Sequence, residues 1–195
     1  MSDLLALDVA ILPPPDVHDR AVRLSASLPQ ADFQGLRLDD EHLPHVTLTQ
    51  QFVRVADLGR IVDRLTDVFR ERRGLTLRVT GGGKTMASTV WMGIEPSDVL
   101  TALHERLMDA LKEFEQIGGG RAAFVDGDAR AADVVWVAGY RAKSSFLSYA
   151  PHITLGHALE PPGIDPFTFE ATTIAACHLG RFCTCRRVLQ SWTLT

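Results

Sequence analysis

Apolar positions alternate loosely along residues 4–12 until Pro13-Pro14-Pro15 stops them, which predicts a strand with a firm end. Val17, Ala21, Leu24 and Leu28 then recur at helical spacing, so residues 16–28 read as a helix with Asp16 as N-cap. Leu36-Arg37-Leu38 suggests a short strand, and residues 45–53 a longer one. The clearest helical stripe lies in residues 56–73. Leu58, Ile61, Val62, Leu65, Val68 and Phe69 share one side, with Arg60, Asp63, Arg64, Asp67 and Arg70 mostly off it and Gly74 as a stop. Residues 75–79 alternate as a half-buried strand, Gly81-Gly82-Gly83 interrupts them, and 89–94 supplies another strand. From Ser97, a good helix cap, Leu100, Leu103, Leu107, Leu111 and Phe114 mark a second long amphipathic helix that ends at Gly118. Residues 118–133 lack periodicity and read as a loop insertion, with strands expected at 134–141, 153–157, 167–176 and 188–194.

This order predicts an α+β fold. Two pseudo-twofold lobes, about 1–96 and 97–195, would form one bilobal domain, with sheets flanking a central cleft and helices covering them. Size agrees, because 195 residues suit one domain or two small lobes sharing a core. No apolar run is long enough for a transmembrane helix, and the first residues lack the basic and apolar regions of a secretory leader. A cytoplasmic protein is therefore expected. A net charge of -4 argues against coating long nucleic acids, yet a few cations suffice for a small nucleotide. Arg141, Lys143, Arg181, Arg186 and Arg187 are available for that purpose. The odd set Cys177, Cys183 and Cys185 suits a reducing compartment. With His178 nearby it is only a weak metal signal, and buried thiols in a terminal strand are the stronger reading.

One repeat changes the picture. His45-Val46-Thr47-Leu48 returns as His152-Ile153-Thr154-Leu155, and each copy follows a proline, Pro44 and Pro151. On strands, the two-residue period sends each His and Thr to one face and the aliphatic pair into a core. Two imidazoles and two hydroxyls on rigid strands suit acid–base chemistry on a phosphate. Imidazole holds both protonation states near neutral pH, and a hydroxyl can donate to a phosphoryl oxygen. No H-E-x-x-H or dense carboxylate set calls for a metal, and no cofactor motif is present.

The paired His-x-Thr-Leu motifs resemble the signature of the 2H phosphoesterase superfamily, which includes 2′-5′ RNA ligase-like proteins and cyclic phosphodiesterases. The resemblance implies a bilobal α+β fold with antiparallel sheets and with the motifs facing each other across the cleft. It also implies a metal-independent reaction on a 2′,3′-cyclic phosphate or a 2′-5′ linkage at a nucleotide or RNA end. His45 and His152 would be the catalytic pair, and Thr47 and Thr154 the phosphate-binding hydroxyls. Which histidine is acid and which is base stays open, as does hydrolysis against ligation or a nucleotide-binding module without turnover. A monomer without an obligate protein partner is expected.

Lys84 after the glycine run could help neutralise phosphate, although a solvated hairpin lysine is the plainer reading. A Walker loop fails because residue 78 is Arg. His157, five residues after His152, would point to the opposite strand face and stand outside catalysis. His18, His42 and His104 read as surface residues. Trp136 reads as core, while Phe146 and Tyr149 could stack on a base.

Overall fold

The computed structural model describes residues 2–70 and 72–195. Among the described residues, eight strands form two four-stranded sheets, antiparallel throughout. The first has β1 (Leu4–Leu12), β2 (Val46–Arg54), β7 (Thr173–Leu179) and β8 (Cys185–Thr193) in the order β2-β1-β7-β8. The second has β3 (Leu75–Lys84), β4 (Thr89–Ile94), β5 (His152–His157) and β6 (Phe167–Ala171) in the order β5-β4-β3-β6. Each sheet takes strands from both halves of the chain, so a division near residue 96 runs through both sheets. The stretch expected as one strand over 167–176 explains this. It is two strands on different sheets, and the chain crosses between them at Thr172. A Cβ on Gly74 would come within 3.2 Å of the Thr172 methyl, so the crossing packs closely against the start of β3.

One apolar core joins both sheets to α1 (Pro15–Ser27), α2 (Leu58–Phe69) and α3 (Asp98–Ala110). Leu7, Val9, Ile11, Val46, Leu48, Ile153 and Leu155 all turn into it at 0–1% exposure, as strand alternation requires. α1 starts with Pro15 in its first turn rather than with an Asp16 cap, and Asp16 lies inside that turn. Ser97 caps α3 by accepting from the Leu100 amide. α2 ends with Phe69, short of Gly74. The short strand expected at 36–38 is irregular chain instead. Leu36 and Leu38 are buried there, and Ser25 Oγ accepts from the Leu38 amide at 2.9 Å while donating to the Leu155 carbonyl at 2.6 Å.

Two further expectations fail for identifiable reasons. Residues 134–141 are not a strand but the body of α4 (Ala131–Lys143). Val134-Val135-Trp136-Val137 is apolar at every position, and such a run carries no period by which to tell helix from strand. Asp133, Val137 and Tyr140 are the buried positions, at helical spacing, while Val135 and Trp136 face outward. Nor are residues 118–133 an open loop. They form 3₁₀ turns at Arg121–Ala123 and Val125–Gly127 and pack Phe124 edge-on to Phe52 at 5.9 Å. Together with α4 this segment covers the outer face of the first sheet in a second apolar cluster with Ala6, Ala10, Cys177 and Cys185.

β3 also runs on through its glycines to Lys84 instead of breaking. A Cβ on Gly82 would lie 2.1 Å from the Pro162 carbonyl oxygen, and one on Gly83 would lie 2.4 Å from Trp91 Nε1. These positions bring backbone and an indole ring against the strand. Gly82→Ala is therefore expected to cost about 1–3 kcal/mol by overpacking, measured by urea unfolding.

Candidate active site

His45 enters β2 and His152 opens β5, and each imidazole is oriented by the same local device. His45 Nδ1 lies 2.8 Å from the Leu43 carbonyl, and His152 Nδ1 lies 2.7 Å from the Ala150 carbonyl. A carbonyl can only accept, so each Nδ1 carries a proton, and each Nε2 is the ring nitrogen left for the site. The aliphatic neighbours are fully buried, which fixes both strands and presents His45, Thr47, His152 and Thr154 on the faces away from the core.

The two histidines have different company. Beside His45 lies Asp8, 0% exposed in the middle of β1. Its Oδ2 accepts from Thr47 Oγ1 at 2.9 Å and from Gln50 Nε2 at 2.6 Å, and sits 3.7 Å from His45 Nε2. A bulge makes this possible: Val9 pairs with Thr49 and Ala10 with Thr47, so Leu48 is the extra residue. Thr47 and Gln50, three apart, consequently reach the same carboxylate. Burial raises the Asp8 carboxyl above its ordinary range, while the charge of His45 and the bonds from Gln50 and Thr47 pull it back. The Thr47 hydroxyl is committed to Asp8, so it donates to any other acceptor only by rotating.

Beside His152 there is no such carboxylate but the ring of Trp91, with centroids 5.3 Å apart. Trp91 pairs with Thr154 in the β4–β5 register. Burial lowers the His152 pKa, and the nearby charge of His45 lowers it further, against the raising effect of the bond to Ala150. One imidazole thus has a counter-ion and the other an apolar wall.

Tyr149 links the two motifs. Its hydroxyl donates to the Thr47 carbonyl at 3.1 Å, and its ring stacks on His104 at 3.9 Å. Burial holds the phenol well above its ordinary range, followed by the charge of Asp8, so it stays a donor. His104 is not a surface residue. It is fully buried, with Nδ1 at 2.6 Å from the Leu48 carbonyl and Nε2 accepting from the Phe146 amide at 2.9 Å.

Other expected residues are placed elsewhere. Lys84 donates to the Leu159 carbonyl. Arg141 is held by Glu115 and the Met108 carbonyl, Arg186 pairs with Glu41, and Arg181 lies 3.6 Å from Asp128. His178 faces the Ala123 carbonyl at 2.9 Å instead of joining the cysteines. Trp136 is 48% exposed, not core, and donates to Gln50 Oε1. His157 departs from the simple strand rule. Thr89 pairs with His157 and Trp91 with Thr154, so a bulge at Leu155-Gly156 returns His157 to the face of Thr154. There its ring lies 5.3 Å from Phe182.

Asp8 and Trp91 are the site residues that sequence reasoning missed. The signal for Asp8 was present: a single carboxylate within the otherwise apolar run of residues 4–12. Trp91 gave none, since its neighbour His152 is reached only through strand pairing. The three thiols are free, with Cys177 and Cys185 buried and Cys183 half-buried, as a terminal-strand reading expects. Cys185 is close to the site because the Leu43 amide donates to its carbonyl at 3.0 Å.

Each of the two sheets thus presents one His-x-Thr strand. A family model described as the 2′-5′ RNA ligase superfamily matches residues 13–176, and the chain belongs to that superfamily. Among solved structures, E. coli LigT in apo form is 20% identical and superposes with a TM-score of 0.63 over 100% of this chain and 99% of that one. TT0787 of Thermus thermophilus is 19% identical with a TM-score of 0.64, covering 97% and 98%. E. coli LigT complexed with 3′-AMP is 20% identical with a TM-score of 0.60, covering 100% and 99%. At these identities the likeness shows the fold. No curated protein sequence matches the chain. Among the described residues no helix is long and apolar enough to cross a membrane.

Proposed function

We propose that this protein is a metal-independent phosphodiesterase acting on 2′,3′-cyclic phosphate or 2′-5′-linked ends of nucleotides or RNA. The observation that carries the reading is the matched pair of imidazoles, each fixed by an Nδ1–H bond with Nε2 left free. Solved complexes of E. coli LigT with 3′-AMP, ATP and NADP+ support a nucleotide substrate.

The unlike surroundings of the two histidines support a division of roles. His152, whose pKa is lowered, is the neutral base: its Nε2 takes a proton from water as the water oxygen bonds to phosphorus. His45, with the Asp8 carboxylate 3.7 Å away, works as the imidazolium: its Nε2–H passes a proton to the ribose oxygen as the phosphorus–oxygen bond breaks. Thr154 donates to a non-bridging oxygen, and Thr47 joins it after leaving Asp8. Asp8 is a positioning residue and counter-charge. In the opposite direction the same groups would serve ligation, and product analysis with paired RNA halves separates the two outcomes.

The pH–rate profile tests the assignment. The base must be unprotonated, and its pKa lies below the ordinary 6.5, so the acidic limb of kcat/KM is expected below pH 6.5. An acidic limb above that value would reverse or remove the role of His152.

Asp8 also carries a stability cost. Its folded pKa lies above the unfolded 3.8, so its contribution is complete below 3.8 and is lost as pH rises through the folded value. Asp8→Asn is accordingly expected to raise the Tm at neutral pH while lowering kcat. A lower Tm would show that the ionised carboxylate is a net stabiliser.

A further inference from the structure

The carboxylate beneath His45 and the thiol beside it make a second kind of site. Donor atoms of Asp8, His45 and Cys185 lie within 4.8 Å of one another, though the residues come from β1, the approach to β2 and the start of β8. We propose that Asp8, His45 and Cys185 bind a thiophilic divalent cation, zinc foremost, and that its binding switches the site off by occupying His45 Nε2. The switching-off half of this proposal rests on the catalytic reading of His45; the binding half does not.

Four observations support it. First, one carboxylate oxygen, one imidazole nitrogen and one sulfur are zinc's usual donors, and three protein ligands leave a fourth position for water. Second, the ligands are already oriented from behind. The Leu43 carbonyl holds His45 Nδ1–H, which frees Nε2, while Thr47 and Gln50 hold the Asp8 carboxylate. Third, Asp8 Oδ1 is fully buried with no hydrogen-bond partner, an acceptor in want of a positive centre. Fourth, one carboxylate and one thiolate neutralise a divalent cation, so the loaded site adds no net charge to a buried region.

The spacing is close to what binding needs. Bonds of about 2.0–2.3 Å put tetrahedral donors roughly 3.3–3.8 Å apart. Asp8 and His45 are 3.7 Å apart, and the other two pairs, within 4.8 Å, have to close by at most about 1 Å. On binding, the Cys185 S–H proton leaves to solvent as the sulfur–metal bond forms, with no change of oxidation state. Magnesium and calcium prefer all-oxygen shells and are expected not to compete.

Cobalt(II), added to the full-length metal-free protein, is the probe, because thiolate ligation gives it a sulfur-to-metal charge-transfer band. The band is expected in wild type and Cys183→Ser and absent in Cys185→Ser, with zinc displacing the cobalt. Zinc at a few equivalents is expected to lower turnover of a 2′,3′-cyclic nucleotide at least tenfold, with EDTA restoring it and Cys185→Ser at least tenfold less sensitive. If Cys185→Ser does not fold, Asp8→Asn carries the test and must weaken cobalt binding at least tenfold. No band in wild type, a band that survives Cys185→Ser, or unchanged cobalt affinity in Asp8→Asn would overturn the site. Loss of turnover on metal removal would overturn its inhibitory role. A normal band in a protein with no turnover under any condition would leave the metal site standing and remove the phosphodiesterase reading alone.

Discussion

His45→Ala and His152→Ala are each expected to lower kcat on a 2′,3′-cyclic nucleotide by about 10³-fold, with KM changing far less. A positioned acid or base contributes typically 10²–10⁴-fold, and in the proposed mechanism each imidazole serves in a different proton transfer of the same displacement. The double variant is expected to fall well short of the product of the two losses, because the residues act as a unit. Folding should survive, since His45 and His152 lie on the face away from the core and their neighbours Val46, Leu48, Ile153 and Leu155 carry the packing. Unchanged Tm with lost kcat is the expected pattern. A loss in only one variant would restrict proton transfer to one histidine.

Phe52→Ala is expected to cost about 3–5 kcal/mol of stability. Phe52 is 1% exposed, and it meets Phe124 edge-to-face. A Cβ on Gly119 would lie 2.3 Å from its ring, so the chain passes directly over it. Removing the ring leaves a cavity under residues 118–133 that two flanking 3₁₀ turns cannot easily fill. Urea unfolding measures the cost. A loss below about 1 kcal/mol would mean that this segment collapses onto the sheet without the ring, and that it is a softer wall than its packing indicates.

The sequence was legible wherever one residue type repeated on a fixed period. The stripe of α2, the Ser97 cap and leucines of α3, and the alternation of both histidine motifs are local patterns, and each survives folding unchanged. What could not be read depended on pairing. Bulges at Leu48 and at Leu155-Gly156 change the face on which later residues lie, bringing Gln50 to Asp8 and His157 to the face of Thr154. Uniformly apolar Val134-Val135-Trp136-Val137 concealed α4, and Thr172 gave no warning that one apparent strand belongs to two sheets. The candidate site was legible as four residues. Its asymmetry, with Asp8 on one side and Trp91 on the other, exists only after the strands have paired.

On the proposed function that asymmetry serves a reaction driven by two imidazoles alone, and hydrolysis of 2′,3′-cyclic nucleotides by the wild-type protein in EDTA tests this most directly. Turnover equal to that of the metal-free protein without chelator is the predicted result. Activity that vanishes in EDTA and returns with added cation would contradict it.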